Sequence, residues 1–327
     1  MSAPTRRPRR LRGSYLLRET TAETTVSSNH LMWPLFVADG PERSDIRGMP
    51  GIERYNIEGL LRRVERALEL GLRRFILFGV PEEKSPQARG AVRSDGIVPR
   101  AVRALKERFA DAALIATDVC LCSYTDTGHC GLVDASGDVL NDASVEILAA
   151  SARVHAEAGA DMVAPSDMMD GRVAQIRSVL DEHGYVHVPI LSYAVKYASK
   201  LYGPFRHAAD SAPQFGDRRG YQMDVRNRRE ALQEALLDVE EGADMLMVKP
   251  GLAYLDILRD LHDATRVPLA AYQVSGEYSM LRYAAAAGAI DEAGATLETW
   301  IAMRRAGAQL ILTYHAAQAL EEGWLDN

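Results

Sequence analysis

Eight short runs of apolar residues, rich in β-branched side chains, recur along the chain and are separated by amphipathic stretches. They are Leu31–Val37, Arg74–Gly79, Ala113–Asp118, Asp161–Ala164, Val188–Tyr193, Asp244–Lys249, Val267–Tyr272 and Gln309–Tyr314. The half-exposed strands of an antiparallel sheet would alternate apolar with polar residues, whereas these runs are nearly continuous. Strands buried on both faces of a parallel sheet have this composition. The pattern therefore predicts a parallel sheet.

The stretches between the runs have the spacing of helices. Ala143–Glu157 carries apolar residues three and four positions apart, behind the candidate N-cap Asp142, and Asn227–Glu241 carries a similar stripe. A glycine recurs where such a stretch passes into the next run, at Gly71, Gly159, Gly242 and Gly307. Glycine just past a helix readily adopts the left-handed conformation that ends it. The repeating unit is therefore a helix followed by a strand.

Eight such units over about 300 residues predict an α/β fold, a (β/α)8 TIM barrel with an extended N-terminal arm. A doubly wound open sheet is the alternative. The chain has no Gly-x-Gly-x-x-Gly after a strand and no Walker lysine loop, which disfavours the common nucleotide-binding forms of that sheet. We assign residues 1–28 to the arm and residues 29–327 to a single barrel catalytic domain, with no linker between domains.

Composition and charge narrow the class of protein. The chain has 47% hydrophobic and 25% charged residues, as ordinary globular proteins do, and a net charge of −7, which disfavours general binding to nucleic acid. Because no run approaches 18 apolar residues, no membrane span is expected. The basic segment Thr5–Arg12 lacks the apolar stretch of a secretion signal, and we interpret it as a surface arm rather than a nucleic-acid contact. With reduced cysteines, this predicts a cytoplasmic protein.

All three cysteines, Cys120, Cys122 and Cys130, fall inside one eleven-residue window. Thiols this close suit a soft metal, and zinc is the first candidate; with only three ligands, a fourth position would stay open to water or substrate. Buried free thiols acting as small hydrophobic residues, or a disulfide, are the alternatives. His129, beside Cys130, is as compatible with a structural histidine as with a ligand or a group that supports one.

Chemically active residues fall where the predicted strands end. The candidates are Asp118, Cys120, Cys122, Ser166, Asp167, Lys196, Lys249, Ser275 and Tyr314. Catalytic residues of a (β/α)8 barrel come from the carboxyl ends of its strands and the loops that follow them. We therefore expect these side chains to face one mouth of the barrel.

Two lysines stand at the ends of neighbouring predicted strands. Lys249 closes the apolar run Met245–Val248, and Lys196 occupies the matching place one strand earlier. Burial and the proximity of a second amine both lower a lysine pKa, and a neutral amine is a nucleophile. A lysine that reaches solvent or pairs with a carboxylate is the alternative for each. Paired lysines at a barrel mouth suggest carbonyl substrates held as Schiff bases.

The loop after Lys196 has no helical or strand period. It contains Tyr202–Arg206 and Phe215–Gln222, with glycines, aromatic residues and arginines. A long loop of this kind over a barrel mouth is typical of a lid, and guanidinium groups match the geometry of a substrate carboxylate. A solvated surface loop is the alternative.

These motifs together resemble the porphobilinogen synthase family, also called 5-aminolevulinate dehydratase. The resemblance covers the chain from about residue 29 to its end. The matching stretches are Asp118–Cys122, Gly128–Gly131, Ala164–Arg172, Tyr202–Arg206, Met247–Gly251 and Val274–Tyr278. The resemblance implies a homo-oligomeric barrel, typically an octamer, whose N-terminal arm embraces a neighbour. It also implies the condensation of two 5-aminolevulinate molecules to porphobilinogen with loss of two waters, in tetrapyrrole (heme) biosynthesis.

The resemblance assigns roles to individual residues. Lys249 and Lys196 would form the two Schiff bases, and Asp118 would assist proton transfer. The second substrate's carboxylate would bind Arg206, Arg218 and Gln222. Ser275 and Tyr314 would bind the carboxylate of the first, and Ser166 is a further candidate for substrate binding.

The resemblance also bears on metals. Cys120, Cys122 and Cys130 match the zinc-dependent branch of the family. Glu234 corresponds to the ligand of an allosteric magnesium in many bacterial members, although from the sequence alone it is an exposed helix residue. Two rival functions are weighed against this one. A class I aldolase acting on a phosphosugar needs one lysine and a phosphate pocket, whereas this chain has two lysines and an arginine-bearing lid. A non-catalytic zinc scaffold does not explain why lysines, a serine and a tyrosine occupy consecutive strand ends.

Overall fold

Ten strands and eleven α-helices make up the described part of the chain, residues 6–326 of a computed structural model. Residues 1–5 of the predicted arm and residue 327 lie outside it. The strands are β1 (Leu31–Ala38), β2 (Arg43–Asp45), β3 (Glu53–Tyr55), β4 (Arg74–Val80), β5 (Leu114–Val119), β6 (Met162–Pro165), β7 (Leu191–Lys196), β8 (Met245–Lys249), β9 (Leu269–Gln273) and β10 (Leu310–Thr313). The helices are α1 (Tyr15–Thr20), α2 (Ile57–Glu69), α3 (Ile97–Phe109), α4 (Asn141–Glu157), α5 (Arg172–Glu182), α6 (Gly203–Ala208), α7 (Arg229–Glu240), α8 (Leu255–Ala264), α9 (Ser275–Ala286), α10 (Glu292–Ala306) and α11 (Ala316–Glu321).

Eight parallel strands form the barrel, in the order β6-β5-β4-β1-β10-β9-β8-β7. A single parallel bridge between Val163 and Ile190 joins the two ends of this order, with the Val163 N–H donating to the Pro189 carbonyl at 3.1 Å. The open doubly wound sheet is therefore excluded, and the predicted (β/α)8 barrel is confirmed. The hairpin of β2 and β3 is an addition that the hydrophobic pattern did not indicate.

The strand predictions were correct in number and order but shifted at several ends. The largest difference is at the fifth barrel strand, predicted at Val188–Tyr193 and observed as β7, Leu191–Lys196. Pro189 has no N–H to donate to a ladder, so regular pairing begins only after it. Lys196 therefore ends this strand rather than following it, and Tyr314 follows β10 rather than ending the eighth barrel strand.

The two helices predicted in detail are present with different starts. The helix predicted at Ala143–Glu157 begins at Asn141, so Asp142 lies in its first turn and is not the N-cap; Leu140 occupies that position. A carboxylate in the first turn still interacts favourably with the helix dipole. The helix predicted at Asn227–Glu241 is α7, which begins two residues later.

Two apolar layers fill the structure. The inner one lies within the barrel and is formed by inward-facing strand residues, among them Phe36, Phe78, Tyr193 and Tyr272, together with Tyr314 just after β10. The outer one lies between the strands and the surrounding helices. Because both faces of each strand are buried, the strands read as continuous apolar runs. The aromatic inner layer is the floor of the mouth in which the candidate site lies.

The segment before the barrel lies on the surface. In residues 6–28 no residue is buried, and Leu11, Tyr15 and Leu16 of the first turns and α1 are 53%, 56% and 73% exposed. Within residues 6–326, no helix combines the length and the apolar character needed to cross a bilayer.

Candidate active site at the barrel mouth

Lys249 is the last residue of β8 and is only 4% exposed. Burial and the neighbouring Lys196 ammonium lower the pKa of Lys249 to about 7, against the opposing effect of Asp118. At neutral pH a large fraction of this amine is therefore unprotonated. An unprotonated amine at a barrel mouth can attack a carbonyl carbon.

Lys196 lies beside Lys249 because β7 contains a bulge. The two lysines are register partners in the β7–β8 pair, and the register shifts between Ser192 and Val195. In a regular strand Tyr193 and Lys196 would point to opposite faces. The extra residue brings both onto the inner face. The Lys196 ammonium donates a hydrogen bond to the Ser166 carbonyl.

An aromatic cage around the Lys249 amine was not predicted. The Nζ atom lies 4.3 Å from the ring centre of Tyr272, 4.9 Å from that of Tyr193, 5.0 Å from that of Phe205 and 5.5 Å from that of Tyr202. The rings exclude water from the amine and hold it by cation–π attraction when it is charged. Tyr193 and Tyr272 each end a predicted apolar run, but that position is equally typical of ordinary core packing, so the sequence did not indicate a cage.

Asp118 lies near the end of β5, with one strand, β6, between it and Lys196 of β7 in the closed barrel. Its Oδ1 is fully enclosed and has no hydrogen-bond partner among residues 6–326. Burial, and then the nearby Cys122, raise the pKa of Asp118 to about 6, while Lys196 and a hydrogen bond with Ser166 act in the opposite direction. A carboxyl group that titrates near neutrality can both accept and donate a proton.

The three cysteines converge as predicted. Their Sγ atoms all lie within 4.8 Å of one another, and all three side chains are buried. Three thiolates around a tetrahedral zinc, with Zn–S bonds of about 2.3 Å, would stand about 3.8 Å apart, so the cluster fits such an ion. Hydrogen bonds from Cys120 and Cys122 hold the pKa of the Cys130 thiol well below its usual range, and Arg218 and Lys196 act in the same direction. Within residues 6–326 this is the one such cluster of three candidate ligands.

His129 is not part of that cluster. One ring nitrogen lies 3.1 Å from the Tyr221 hydroxyl and the other 3.2 Å from the Phe215 carbonyl, so both are engaged. The Tyr221 hydroxyl accepts from the Cys130 N–H at 3.2 Å. Through Tyr221, His129 thus supports the backbone of Cys130. Of the alternatives that spacing left open, the structure favours a supporting residue over a metal ligand.

The loop after Lys196 covers the mouth and, contrary to expectation, contains a short helix, α6. Two neighbouring segments hold it. The guanidinium of Arg54, in β3, donates to the carbonyls of His207 at 3.1 Å and Ala208 at 3.0 Å, and the Lys84 ammonium lies 2.7 Å from the Asp210 carboxylate. Because basic groups at the end of a helix satisfy its free carbonyls, these contacts fix the position of α6.

Arg206 and Arg218 meet in this loop. Arg218 is 6% exposed and donates to the carbonyls of Gly128 at 2.9 Å and Ser211 at 2.6 Å. Burial and the charge of Arg218 lower the pKa of Arg206. The Nε atoms of both, and the Nε2 of the nearby Gln222, are buried with no partner among residues 6–326. One buried and one half-buried guanidinium, each with a free enclosed donor, form a site suited to an anion.

Ser275 and Tyr314 follow the neighbouring strands β9 and β10 at the mouth. The Ser275 hydroxyl accepts a hydrogen bond from the Phe205 N–H at 3.0 Å, which ties it to α6. The Tyr314 hydroxyl lies 3.0 Å from that of Tyr272 in the aromatic cage. Both side chains are buried, at 1% and 2% exposure, so their hydroxyls can bind a substrate group away from bulk water.

Glu234 lies apart from the mouth on α7. It is half-buried rather than exposed, in a cavity of about 370 Å³ whose lining also includes Asn141, Asp170 and Glu230. Burial raises the pKa of Glu234, while the charge of Arg172 opposes the rise. Its carboxylate does not belong to any cluster of three ligand atoms among residues 6–326.

The fold and the site together define a (β/α)8-barrel enzyme with two buried amines, a carboxyl group and three thiols around one mouth. The delta-aminolevulinic acid dehydratase family matches residues 5–322 of the chain. Delta-aminolevulinic acid dehydratases of Synechocystis and Bacillus subtilis are each 50% identical, over 99% of this chain and 99% of theirs. The chain therefore belongs to the delta-aminolevulinic acid dehydratase family.

A solved structure agrees with this assignment. The delta-aminolevulinic acid dehydratase (porphobilinogen synthase) of Toxoplasma gondii, in complex with the reaction product porphobilinogen, superposes with a TM-score of 0.96. It is 47% identical and covers 98% of this chain and 92% of its own. The comparisons of sequence and of structure therefore agree on the fold and the family.

Proposed function

We propose that this protein condenses two molecules of 5-aminolevulinate to porphobilinogen, with release of two waters, as a step of tetrapyrrole (heme) biosynthesis. The observation that carries the proposal is the pair Lys196 and Lys249, register partners at the ends of adjacent strands with both amines buried. Two amines in one mouth match two ketone substrates. The names of the curated relatives and the product bound to the Toxoplasma protein support the same reaction.

The chemistry assigned to the lysines follows from their environment. The unprotonated Lys249 amine attacks the ketone carbon of one substrate, and loss of water gives a Schiff base; Lys196 holds the second substrate in the same way. One carbon–carbon and one carbon–nitrogen bond between the substrates then replace their two carbonyl bonds, which accounts for the two waters. Asp118 transfers protons between the two substrates, because its pKa of about 6 lies near the working pH.

Separate groups bind the two substrate carboxylates in this proposal. Ser275 and Tyr314 bind that of the substrate on Lys249. Arg206, Arg218 and Gln222 bind that of the substrate on Lys196, for which their unpaired buried donors provide support. The Ser166 carbonyl accepts a hydrogen bond from the Lys196 ammonium, which places Ser166 beside the amine that would hold the second substrate, and we assign it to substrate binding there.

Arg218→Ala is expected to raise the KM for 5-aminolevulinate by about 10- to 100-fold, because a hydrogen bond to a charged group contributes roughly 1.5–3 kcal/mol. Steady-state kinetics of porphobilinogen formation measure the change. Arg219→Ala is the matched control, since the neighbouring Arg219 is exposed and its guanidinium pairs with Asp217 at the surface. An unchanged KM in Arg218→Ala would remove this residue from the carboxylate site.

Cys120, Cys122 and Cys130 would hold zinc, as in the zinc-dependent branch of the family. The geometry of the three thiols, the soft donor set and the absence of a fourth cysteine in the chain support an ion with one open position. Bound there, zinc would supply Lewis-acid polarisation of a substrate oxygen or nitrogen.

Glu234 would hold an allosteric magnesium. Magnesium prefers oxygen ligands and usually retains several waters, which suits one carboxylate in a polar cavity better than a set of converging protein ligands. Magnesium bound at Glu234 would affect the barrel mouth through α7 and the loop that precedes this helix.

Glu234→Gln is expected to abolish the response to magnesium while leaving activity without magnesium unchanged. The neutral amide keeps the size of the side chain but removes the charge that binds the ion. Activity titrations with MgCl2 measure the effect, and Glu240→Gln, on the same helix, is the control. A wild-type response in Glu234→Gln would place any magnesium site elsewhere.

We infer a homo-oligomer, an octamer as in the family, with residues 1–28 forming an arm that packs on a neighbouring copy. The exposed Leu11, Tyr15 and Leu16 of the arm support this, because apolar side chains clustered on a short surface segment favour burial against a partner. Three free thiols support a reducing compartment, for which we propose the cytoplasm.

Borohydride trapping with 5-aminolevulinate, followed by peptide mass spectrometry, tests the proposed function. We expect a substrate adduct on Lys249, with or without a second on Lys196, and porphobilinogen when the reductant is omitted. Folded, zinc-loaded protein that yields neither adduct nor product would contradict the function.

A further inference from the structure

The carboxylate of Glu277 lies buried between two loops of the mouth. One oxygen accepts a hydrogen bond from the Leu252 N–H at 2.6 Å. The other accepts from the Val274 N–H at 2.6 Å and from the Gly251 N–H at 3.4 Å. The side chain is 2% exposed. One carboxylate thus joins the loop after β8 to the loop after β9.

The recorded partners of the Glu277 carboxylate among residues 6–326 are backbone N–H groups and not cationic side chains. Burial raises the pKa of Glu277 to about 7, and the backbone N–H groups of Val274, Leu252 and Gly251 oppose the rise. Burying a carboxyl group costs free energy unless its oxygens are hydrogen-bonded. Here the donors are all backbone groups, so the carboxylate holds main chain rather than side chains.

The two loops carry the groups that would bind one substrate. Gly251 is two residues beyond Lys249, and Val274 directly precedes Ser275. The ladder between β8 and β9 ends at the pair Val248 and Ala271. Beyond that pair the sheet no longer fixes one strand end against the other. Glu277 provides the connection at the point where the ladder stops.

Capping of α9 alone does not account for this arrangement. A glutamate at the third position of a helix can fold back to the N–H before the helix, as Glu277 does toward Val274. That contact needs one oxygen. The second oxygen makes a hydrogen bond of equal length to Leu252, on a different loop, which contributes nothing to capping.

We propose that Glu277 is a positioning residue that sets the spacing between the Lys249 amine and the Ser275 hydroxyl, and thereby selects 4-oxo acids. The role rests on the proposed function, in which Lys249 takes the ketone and Ser275 the carboxylate of one molecule. In a 4-oxo acid, two methylene groups separate these two reacting parts. Only a fixed distance between amine and hydroxyl lets both be engaged at once.

The test compares two ketones that differ in the carboxylate. Levulinate (4-oxopentanoate) has it and 2-pentanone does not, and both can form a Schiff base with Lys249. For each protein, peptide mass spectrometry measures the rate of borohydride trapping on Lys249 with each ketone. The quantity compared is the rate with levulinate divided by the rate with 2-pentanone. We expect wild-type protein to favour levulinate and Glu277→Gln to lower the ratio about tenfold, with the rate for 2-pentanone retained.

Controls separate this role from a loss of folding. Glu298→Gln, an exposed glutamate on α10, should keep the wild-type ratio. Glu277→Asp keeps the charge but has a shorter side chain, so it should also lower the ratio of trapping rates. This variant replaces Glu277→Gln in the test if the glutamine variant does not fold. A purely structural role would slow both ketones equally, and an unchanged ratio in either folded variant would overturn the proposal. Absence of any adduct in wild-type protein would instead overturn the proposed function.

Discussion

Lys249→Met is expected to lower porphobilinogen formation by at least about 10³-fold, since removal of a covalent nucleophile leaves only the binding contributions to catalysis. Methionine is close to lysine in length and is apolar, so it fits among the rings of Tyr193, Tyr202, Phe205 and Tyr272. Activity assays and borohydride trapping measure the loss. Lys200→Met, an exposed lysine in the same loop region, is the control.

The same substitution should not destabilise the protein. The pKa of Lys249 is lowered from 10.5 to about 7 in the folded state, so the unfolded chain binds more protons over that interval. Lys249 therefore lowers the free energy of unfolding by its full amount below pH 7, and this destabilisation declines as the pH rises from 7 to 10.5. Methionine removes this destabilisation, so thermal unfolding of Lys249→Met at pH 6–7 should show a Tm at or above that of wild type. A large fall in Tm would attribute the lost activity to unfolding.

The titration of Lys249 also predicts the pH dependence of Schiff-base formation. Trapping on Lys249 should increase with pH through about 7 as the amine loses its proton. The positive charge of Lys196 contributes to the lowered pKa, so Lys196→Met should move this increase to higher pH. A profile that does not move in Lys196→Met would mean that the two amines are not electrostatically coupled.

Cys122→Ser is expected to release the zinc and lower activity by about 100-fold or more, because loss of one ligand from a three-cysteine site removes a strong soft donor. The change preserves size, so effects on packing remain small. Metal analysis of the purified protein gives zinc per subunit, and activity is assayed in parallel. Wild-type protein treated with a chelator should lose activity and recover it on addition of zinc.

This second prediction distinguishes a catalytic from a structural metal. If Cys122→Ser lost zinc but kept its activity, the ion would have no role in turnover. If it retained zinc, the ligand set would not be the three cysteines. Cobalt substitution adds an independent readout, since thiolate–cobalt absorption should appear in wild type and weaken in Cys122→Ser.

Much of the fold could be predicted because burial on both faces leaves a strong mark on the sequence. A parallel strand covered by helices must be apolar throughout, so eight such runs indicated eight strands. The thiol cluster was also predictable, since Cys120, Cys122 and Cys130 are close along the chain. Strand ends were predicted less accurately. The predicted position of β7 was three residues off at each end, because Pro189 cannot donate to the ladder and regular pairing begins only after it.

What the sequence by itself determined is the class of fold, the chemistry carried at the strand ends and the local grouping of the thiols, all of which depend on short-range patterns. Tertiary structure alone decided which of these groups meet. A bulge in β7 turns Lys196 to the same face as Lys249, and the lid brings Arg218 against Arg206. From the sequence, Glu277 is expected only to cap a helix. Its second contact, with the Leu252 N–H, exists because the loop after β8 packs against it in the folded barrel. These contacts join residues far apart in the chain, and their geometry depends on strand register and loop closure, which no local pattern encodes.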